Sequence, residues 1–272
     1  VYLPEPIRRL RYQYVHTLRQ RQRAARRNAP PLPLGAVGGP PDFVGLGAQK
    51  AGTSWWFTLL MEHPRTAPST VGFKELNFFE PYWQRPFTPL DQETYYRHFP
   101  TTPGTLRGEW TPEYLLDAWC VTLLRSVAPD ARLLVLVRDP IERFRSGLTQ
   151  MTRGLRQPDL SDLRVAYQRG CYLPALEMIL QSFPRESLLV LQYERCRIDP
   201  MGQLRRTFAH LGLEDHPVPA SKIKRPVNRT DIPKVEIEPA ALDAVRQAYR
   251  PQVHDLTTSF PELDLELWPN FQ

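Results

Sequence analysis

The sequence predicts an α/β fold in three layers, with a central parallel sheet flanked by helices, and three observations lead there. Residues 132–139, RLLVLVRD, form a near-continuous apolar run closed by Pro140, the pattern of a strand buried on both faces of a parallel sheet. Residues 187–194, SLLVLQYE, repeat it. Segments with helical spacing of apolar residues lie before and after these runs, and strand–helix alternation is what a parallel sheet with helical crossovers produces. The 272 residues, 42% of them hydrophobic, suffice for one large domain.

The elements follow in chain order. Residues 8–27 carry many arginines and no acid, which suits a solvated arm beside the domain or peripheral contact with an anionic membrane surface. Residues 28–41, NAPPLPLGAVGGPP, read as a proline-glycine linker. The domain boundary is placed before the last proline of that stretch, giving an arm and linker at residues 1–40 and a folded domain at residues 41–272. DFVGLG, residues 42–47, reads as a short buried strand ending in a glycine turn. A helix starts at Thr53 or Ser54 and stops near Pro64. After the 132–139 strand, PIERFRSGLTQM turns helical, with Pro140 suited to the first turn. Residues 172–183 are helical before the 187–194 strand, and residues 199–213 are helical after it. The tail from Pro217 is polar and proline-rich, with a helix around residues 239–250.

Composition excludes several functions. No run of 18 apolar residues occurs, so no membrane span is expected. The net charge of +6 is concentrated in the arm, and nothing later resembles an aromatic RNA-binding sheet, a zinc finger or a winged helix, so no nucleic-acid partner is expected. Cys120, Cys171 and Cys196 form no CxxC pair; they argue against a disulfide scaffold or a metal site and favour a reducing compartment.

The chemistry-bearing stretch is GLGAQKAGTSWW. A strand, a glycine turn and a helix place free backbone N–H groups and a helix N-terminus against an anion. Lys50, Ala51, Gly52, Thr53, Ser54 and Trp55 form this turn, but Lys50 precedes Gly52 and no Gly-Lys-Ser/Thr run follows. It is P-loop-like and departs from the usual nucleoside-triphosphate loop. A second candidate site pairs Arg138, at a strand end, with Ser146 on the next helix. Two anion sites at strand ends suit one ligand with anions at both ends of a sugar.

GLGAQKAGTSWW, GFKELNFFE, GEWTPEY, VRDPIERFRS and RGCYLPALEMILQSFP together resemble the sulfotransferases that use 3'-phosphoadenosine-5'-phosphosulfate (PAPS). The likeness is greatest to the branch holding the heparan sulfate N- and 3-O-sulfotransferases and their bacterial relatives, and it spans roughly residues 42–200. The resemblance implies that Lys50 to Trp55 grip the 5' end of PAPS, while Arg138 and Ser146 bind the 3'-phosphate. It implies PAP (adenosine 3',5'-bisphosphate) as product, no metal, and a small-molecule or carbohydrate acceptor. It also points to a basic loop over the nucleotide, here carried by Lys222, Lys224 and Arg225 in SKIKRPVNR, and to Arg169 and Gly170 near the nucleotide.

Sulfuryl transfer builds negative charge on the leaving phosphate oxygen, which Lys50 can stabilise. A hydroxyl acceptor must lose a proton, and the resemblance gives that role to Glu75 in FKELNFF. Lys74 is either half of a solvated surface pair with Glu75 or a contact for the acceptor or sulfuryl group. Trp110 stands where the glycan-modifying branch has a lysine; it either stacks on the acceptor or fills the core. Arg143 and Arg145 read as solvated arginines, Glu80 as structural or rim-located, and His98 as a second-choice base. The resemblance also implies a disulfide just before the basic loop in relatives of the secretory pathway; no cysteine follows Cys196, which leans towards a bacterial-type, cytoplasmic enzyme. An ATP- and Mg²⁺-dependent small-molecule kinase and a non-catalytic nucleotide-binding module on the same fold are the alternatives.

Overall fold

The computed structural model describes residues 17, 21, 24, 25, 27, 28, 31, 32, 34–153, 156–225 and 234–272. Most of the basic arm lies outside the described residues. Five strands form one sheet: β1 (Phe43–Gly47), β2 (Thr66–Pro68), β3 (Leu106–Trp110), β4 (Arg132–Val137) and β5 (Leu188–Gln192), in the order β2-β3-β1-β4-β5. Every pair is parallel. The three-layer expectation therefore holds, and β1, the strand of the glycine turn, lies at the centre.

The apolar runs account for the two clearest strands. β4 is buried along Leu133–Val137 because helices cover both faces of the sheet. β5 stops at Gln192, two residues short of the expected Glu194. Its neighbour β4 ends at Val137, paired with Gln192, so no partner remains to continue the ladder. Tyr193 and Glu194 instead begin a helix.

The helices are α1 (Thr53–Leu60), α2 (Pro89–Tyr96), α3 (Ala118–Val127), α4 (Pro140–Thr152), α5 (Leu160–Gln168), α6 (Tyr172–Ser182), α7 (Tyr193–Ile198), α8 (Pro200–His210), α9 (Ala220–Lys224) and α10 (Pro239–Ser259). α4 begins with Asp139, whose carboxylate accepts the N–H groups of Ile141 and Glu142, the arrangement that satisfies orphan donors of a first turn. The side-chain amide of Asn270 donates to the same carboxylate at 2.9 Å, fastening the C-terminal segment beneath this turn.

β2 and β3 have no counterpart in the apolar runs. β3 is LRGEW, interrupted by Gly108 and Glu109, and Gly108 is required by contact. A Cβ there would stand 2.2 Å from the Phe43 carbonyl oxygen on β1.

Candidate active site

β1 connects outward to β2 and β3 on one side of the sheet, while β4 and β5 lie on the other. Ligands of open parallel sheets bind at the carboxyl ends of strands beside such a reversal. The loops after β1, β3 and β4 carry Lys50, residues 111–114 and Arg138 respectively, so the candidate residues gather at that one end.

The glycine turn runs from β1 into α1 through backbone that few side chains tolerate. Lys50 has φ 69° and Gly52 φ 94°. A Cβ on Gly52 would lie 2.6 Å from the Tyr193 ring, so left-handed backbone and close approach both call for glycine. Thr53 opens α1, and Ser54 follows in its first turn.

Arg138 closes the gap between the two expected anion sites. Its Nη1 donates to the Lys50 carbonyl oxygen at 3.3 Å, and its guanidinium lies 5.1 Å from the centre of the Tyr193 ring. Its Nε is buried and has no hydrogen-bond partner among the described residues. Burial lowers the Lys50 ammonium below the usual lysine range, the Arg138 charge lowers it further, and Glu75 pulls it back. Two cations held close together, one with an unsatisfied buried donor, fit a phosphate-bearing ligand.

Ser146 is half-buried on α4, one turn beyond Glu142. The Glu142 carboxylate receives Arg138 at 3.5 Å, Arg145 at 3.4 Å and Lys234 at 3.9 Å. Sequence reasoning missed both Glu142 and Lys234. Glu142 lies four residues after Arg138, within VRDPIERFRS, so its spacing was the available signal, whereas only the packing brings Lys234 to the same carboxylate.

Beside the start of α1, the Lys74 ammonium bridges two groups. It donates to Thr53 Oγ1 at 3.2 Å and pairs with Glu75 Oε1 at 2.8 Å. The Lys74 side chain is 13% exposed and that of Glu75 33%, so the alternative of a solvated surface pair is wrong. Burial pulls the Lys74 ammonium below the usual lysine range, and Glu75 pulls it back.

Behind this pair, the buried Glu109 carboxyl accepts from Thr111 Oγ1 at 2.6 Å, the Tyr95 hydroxyl at 3.0 Å, the Leu76 N–H at 3.1 Å and the Tyr114 hydroxyl at 3.3 Å. Burial nevertheless outweighs these donors and pushes it up to about 7.

Trp110 fills the core. It is fully buried, its Nε1 donates to the Gly47 carbonyl at 3.0 Å, and its ring takes the space a side chain at Gly45 would need. It does not face an acceptor. His98 is also buried, among Phe78 and Phe99, with its ring nitrogen bonded to the Arg27 carbonyl, so it is no base for an acceptor. Arg143, expected to be solvated, is fully buried and donates to the Ala166 carbonyl near the end of α5. Arg145 is half-exposed, as a helical residue on a different face should be. Glu80 is half-buried at the start of a 3₁₀ turn, Glu80–Trp83.

The remaining expected residues sit at the rim. Lys222 pairs with Glu62 at 2.9 Å, while Lys224 and Arg225 are exposed. α9 is tied to the glycine turn by the Trp55 indole, which donates to the Ile223 carbonyl at 3.0 Å. Residues 226–229 of the expected basic loop lie outside the described residues. Arg169 donates to the Gln49 side chain of the glycine turn and pairs with Glu113 at 3.2 Å.

Among the described residues, no group of three or more His, Cys, Asp or Glu side chains is placed to hold a metal ion, and no helix is long and apolar enough to cross a membrane.

The profile described as "Sulfotransferase family" matches residues 92–217. Just under half of the chain therefore resembles the sulfotransferase family. The chain is 29% identical over 194 residues to mouse heparan sulfate glucosamine 3-O-sulfotransferase 3B1, covering 64% of the chain and 46% of that relative. It is 28% identical over 209 residues to human heparan sulfate glucosamine 3-O-sulfotransferase 6, covering 70% of the chain and 58% of that relative. The chain thus spans about half the length of these curated relatives. The crystal structure of a sulfotransferase from Alicyclobacillus acidocaldarius superimposes with a TM-score of 0.66 at 23% identity, covering 84% of this chain and 98% of that one. That likeness establishes the shared fold.

Proposed function

We propose that this chain moves a sulfuryl group from PAPS to a hydroxyl of a small-molecule or carbohydrate acceptor. The observation that carries the reading is the Lys74 bridge, because it joins Thr53 of the donor loop to Glu75, the residue that must meet the acceptor. PAPS, when bound, supplies the sulfuryl group on a phosphosulfate anhydride. Residues Lys50 to Trp55 hold its 5' end, Arg138 and Ser146 its 3'-phosphate, and Lys222, Lys224 and Arg225 its rim.

In this reading Glu75 takes the acceptor's proton, and its one-third exposure leaves it open to an incoming hydroxyl. Lys50 stabilises charge on the leaving phosphate oxygen, with Lys74 positive between the two sites. The names of the curated relatives specify a heparan sulfate glucosamine acceptor, which supports the carbohydrate class. With Trp110 in the core, the lysine of the glycan-modifying pattern has no equivalent at that position, so a less anionic acceptor is favoured. The three cysteines are unpaired, which supports a reducing, cytoplasmic setting.

Calorimetric titration with PAP, and in parallel with ADP and Mg²⁺, tests the donor. Selective PAP binding that weakens at least tenfold in Arg138→Ala supports the proposal, whereas preference for ADP would indicate a kinase. Glu75→Gln should retain PAP affinity and lose about 10²-fold or more in turnover. Selective PAP binding without turnover on any hydroxyl acceptor would indicate a binding module.

A further inference from the structure

Glu75 stands on a segment whose backbone is fastened almost entirely by side chains of one short stretch, residues 109–114. Immediately after it, three consecutive N–H groups find such partners. Leu76 donates to Glu109 Oε2 at 3.1 Å, Asn77 to Thr111 Oγ1 at 3.2 Å and Phe78 to the Tyr114 hydroxyl at 2.7 Å. On the other side, the Trp110 N–H donates to the Lys74 carbonyl at 2.7 Å.

The bonds are directional. An N–H group can only donate, so the Thr111 and Tyr114 hydroxyls accept from the segment and are free to donate onward. Both donate to Glu109, at 2.6 and 3.3 Å. Each hydroxyl is therefore a relay from backbone to carboxyl, and Glu109 anchors the set.

Leu76, Asn77 and Phe78 are buried, so their N–H groups need partners from the protein. Asn77 adds a left-handed residue, φ 52°, and its side-chain amide donates to the Glu75 carbonyl at 3.4 Å. Glu75 itself keeps a side chain one-third exposed on this fixed backbone. A general base has to stand within hydrogen-bond reach of the proton it takes, and its mount sets that position.

We propose that Glu109, Thr111 and Tyr114 are positioning residues for Glu75, holding the backbone of residues 76–78 so that the Glu75 carboxylate and the Lys74 ammonium keep their places beside Thr53. The proposal rests on the reading of Glu75 as general base. It gives the GEWTPEY stretch a role independent of the residue at 110, because that residue contributes through its backbone N–H.

The test uses Thr111→Val and Tyr114→Phe, with Thr111→Ser as the conservative rescue, each in the native chain and in Glu75→Gln. The readouts are backbone amide exchange at residues 76–78, PAP affinity, and kcat and KM for sulfuryl transfer. Thr111→Val should raise exchange of the Asn77 amide at least tenfold, and Tyr114→Phe that of Phe78, with residues 133–137 of β4 unchanged. Turnover should fall at least tenfold while PAP affinity stays within twofold, and Thr111→Ser should restore both exchange and turnover.

In the Glu75→Gln background neither change should lower the residual turnover further, because an effect exerted through Glu75 has nothing left to act on. Additive losses there would show a structural role and overturn the proposal. Undiminished turnover in both single variants, with Glu75→Gln inactive, overturns the positioning role alone. Native turnover in Glu75→Gln removes the general-base reading and the positioning role with it. Should Tyr114→Phe fail to fold, Thr111→Val carries the test, since it removes one hydroxyl at nearly constant volume.

Discussion

Glu109→Gln isolates a single titration that the fold holds far from its ordinary position. Burial pushes this carboxyl from 4.5 up to about 7, so folding prefers its protonated form. A raised folded value contributes stability fully below about pH 4.5 and loses it as pH rises through 7. The difference of about 2.5 pH units corresponds to about 3 kcal/mol. Glutamine keeps an acceptor for the Leu76 N–H, fills nearly the same volume and does not titrate. The stability of the native chain minus that of Glu109→Gln should therefore fall by about 3 kcal/mol between pH 4.5 and 8. All other ionisable groups are common to both chains and largely cancel. Urea unfolding at half-unit pH intervals, with m-values matched between the two chains, measures the difference. A difference that is flat, or that rises with pH, would refute the reasoning. It would mean that the four donors around Glu109 outweigh its burial.

Gly52→Ala should cost about 1–2 kcal/mol for left-handed backbone alone. The new Cβ would also displace the Tyr193 ring, over which Arg138 lies, so PAP affinity should fall at least tenfold by calorimetry. Trp110→Lys restores the residue type of the glycan-modifying pattern, yet it should lose about 3–5 kcal/mol in packing before an unpaired buried ammonium is counted. The expected outcome is little soluble folded protein, read from expression and thermal melting; a stable, active variant would show that position 110 can face the acceptor. Lys74→Met replaces a buried ammonium with an apolar chain of similar length. Melting temperature should hold or rise while turnover drops at least tenfold, and unchanged turnover would remove Lys74 from the site.

Much of the glycine turn was legible locally. A glycine turn between strand and helix writes its function into adjacent residues, because backbone N–H groups and a positive φ both depend on near neighbours. The turn conformation around Lys50 and Gly52 could therefore be expected in advance. β3 could not. Its sequence LRGEW has no apolar run, because Gly108 is there for close approach to β1 and Glu109 is buried by partners contributed from α2, residue 76 and residues 111–114.

Periodicity and glycine placement by themselves determined the α/β class, the central strands and the glycine turn, since each depends on contacts within a few residues. Tertiary structure alone decided which residues meet. It put Arg143 and Trp110 inside, set Lys74 between Thr53 and Glu75, and brought Lys234 to Glu142. Burial and pairing across distant segments follow from the order in which strands assemble. A lysine beside a glutamate reads the same in sequence whether it faces water or closes an active site.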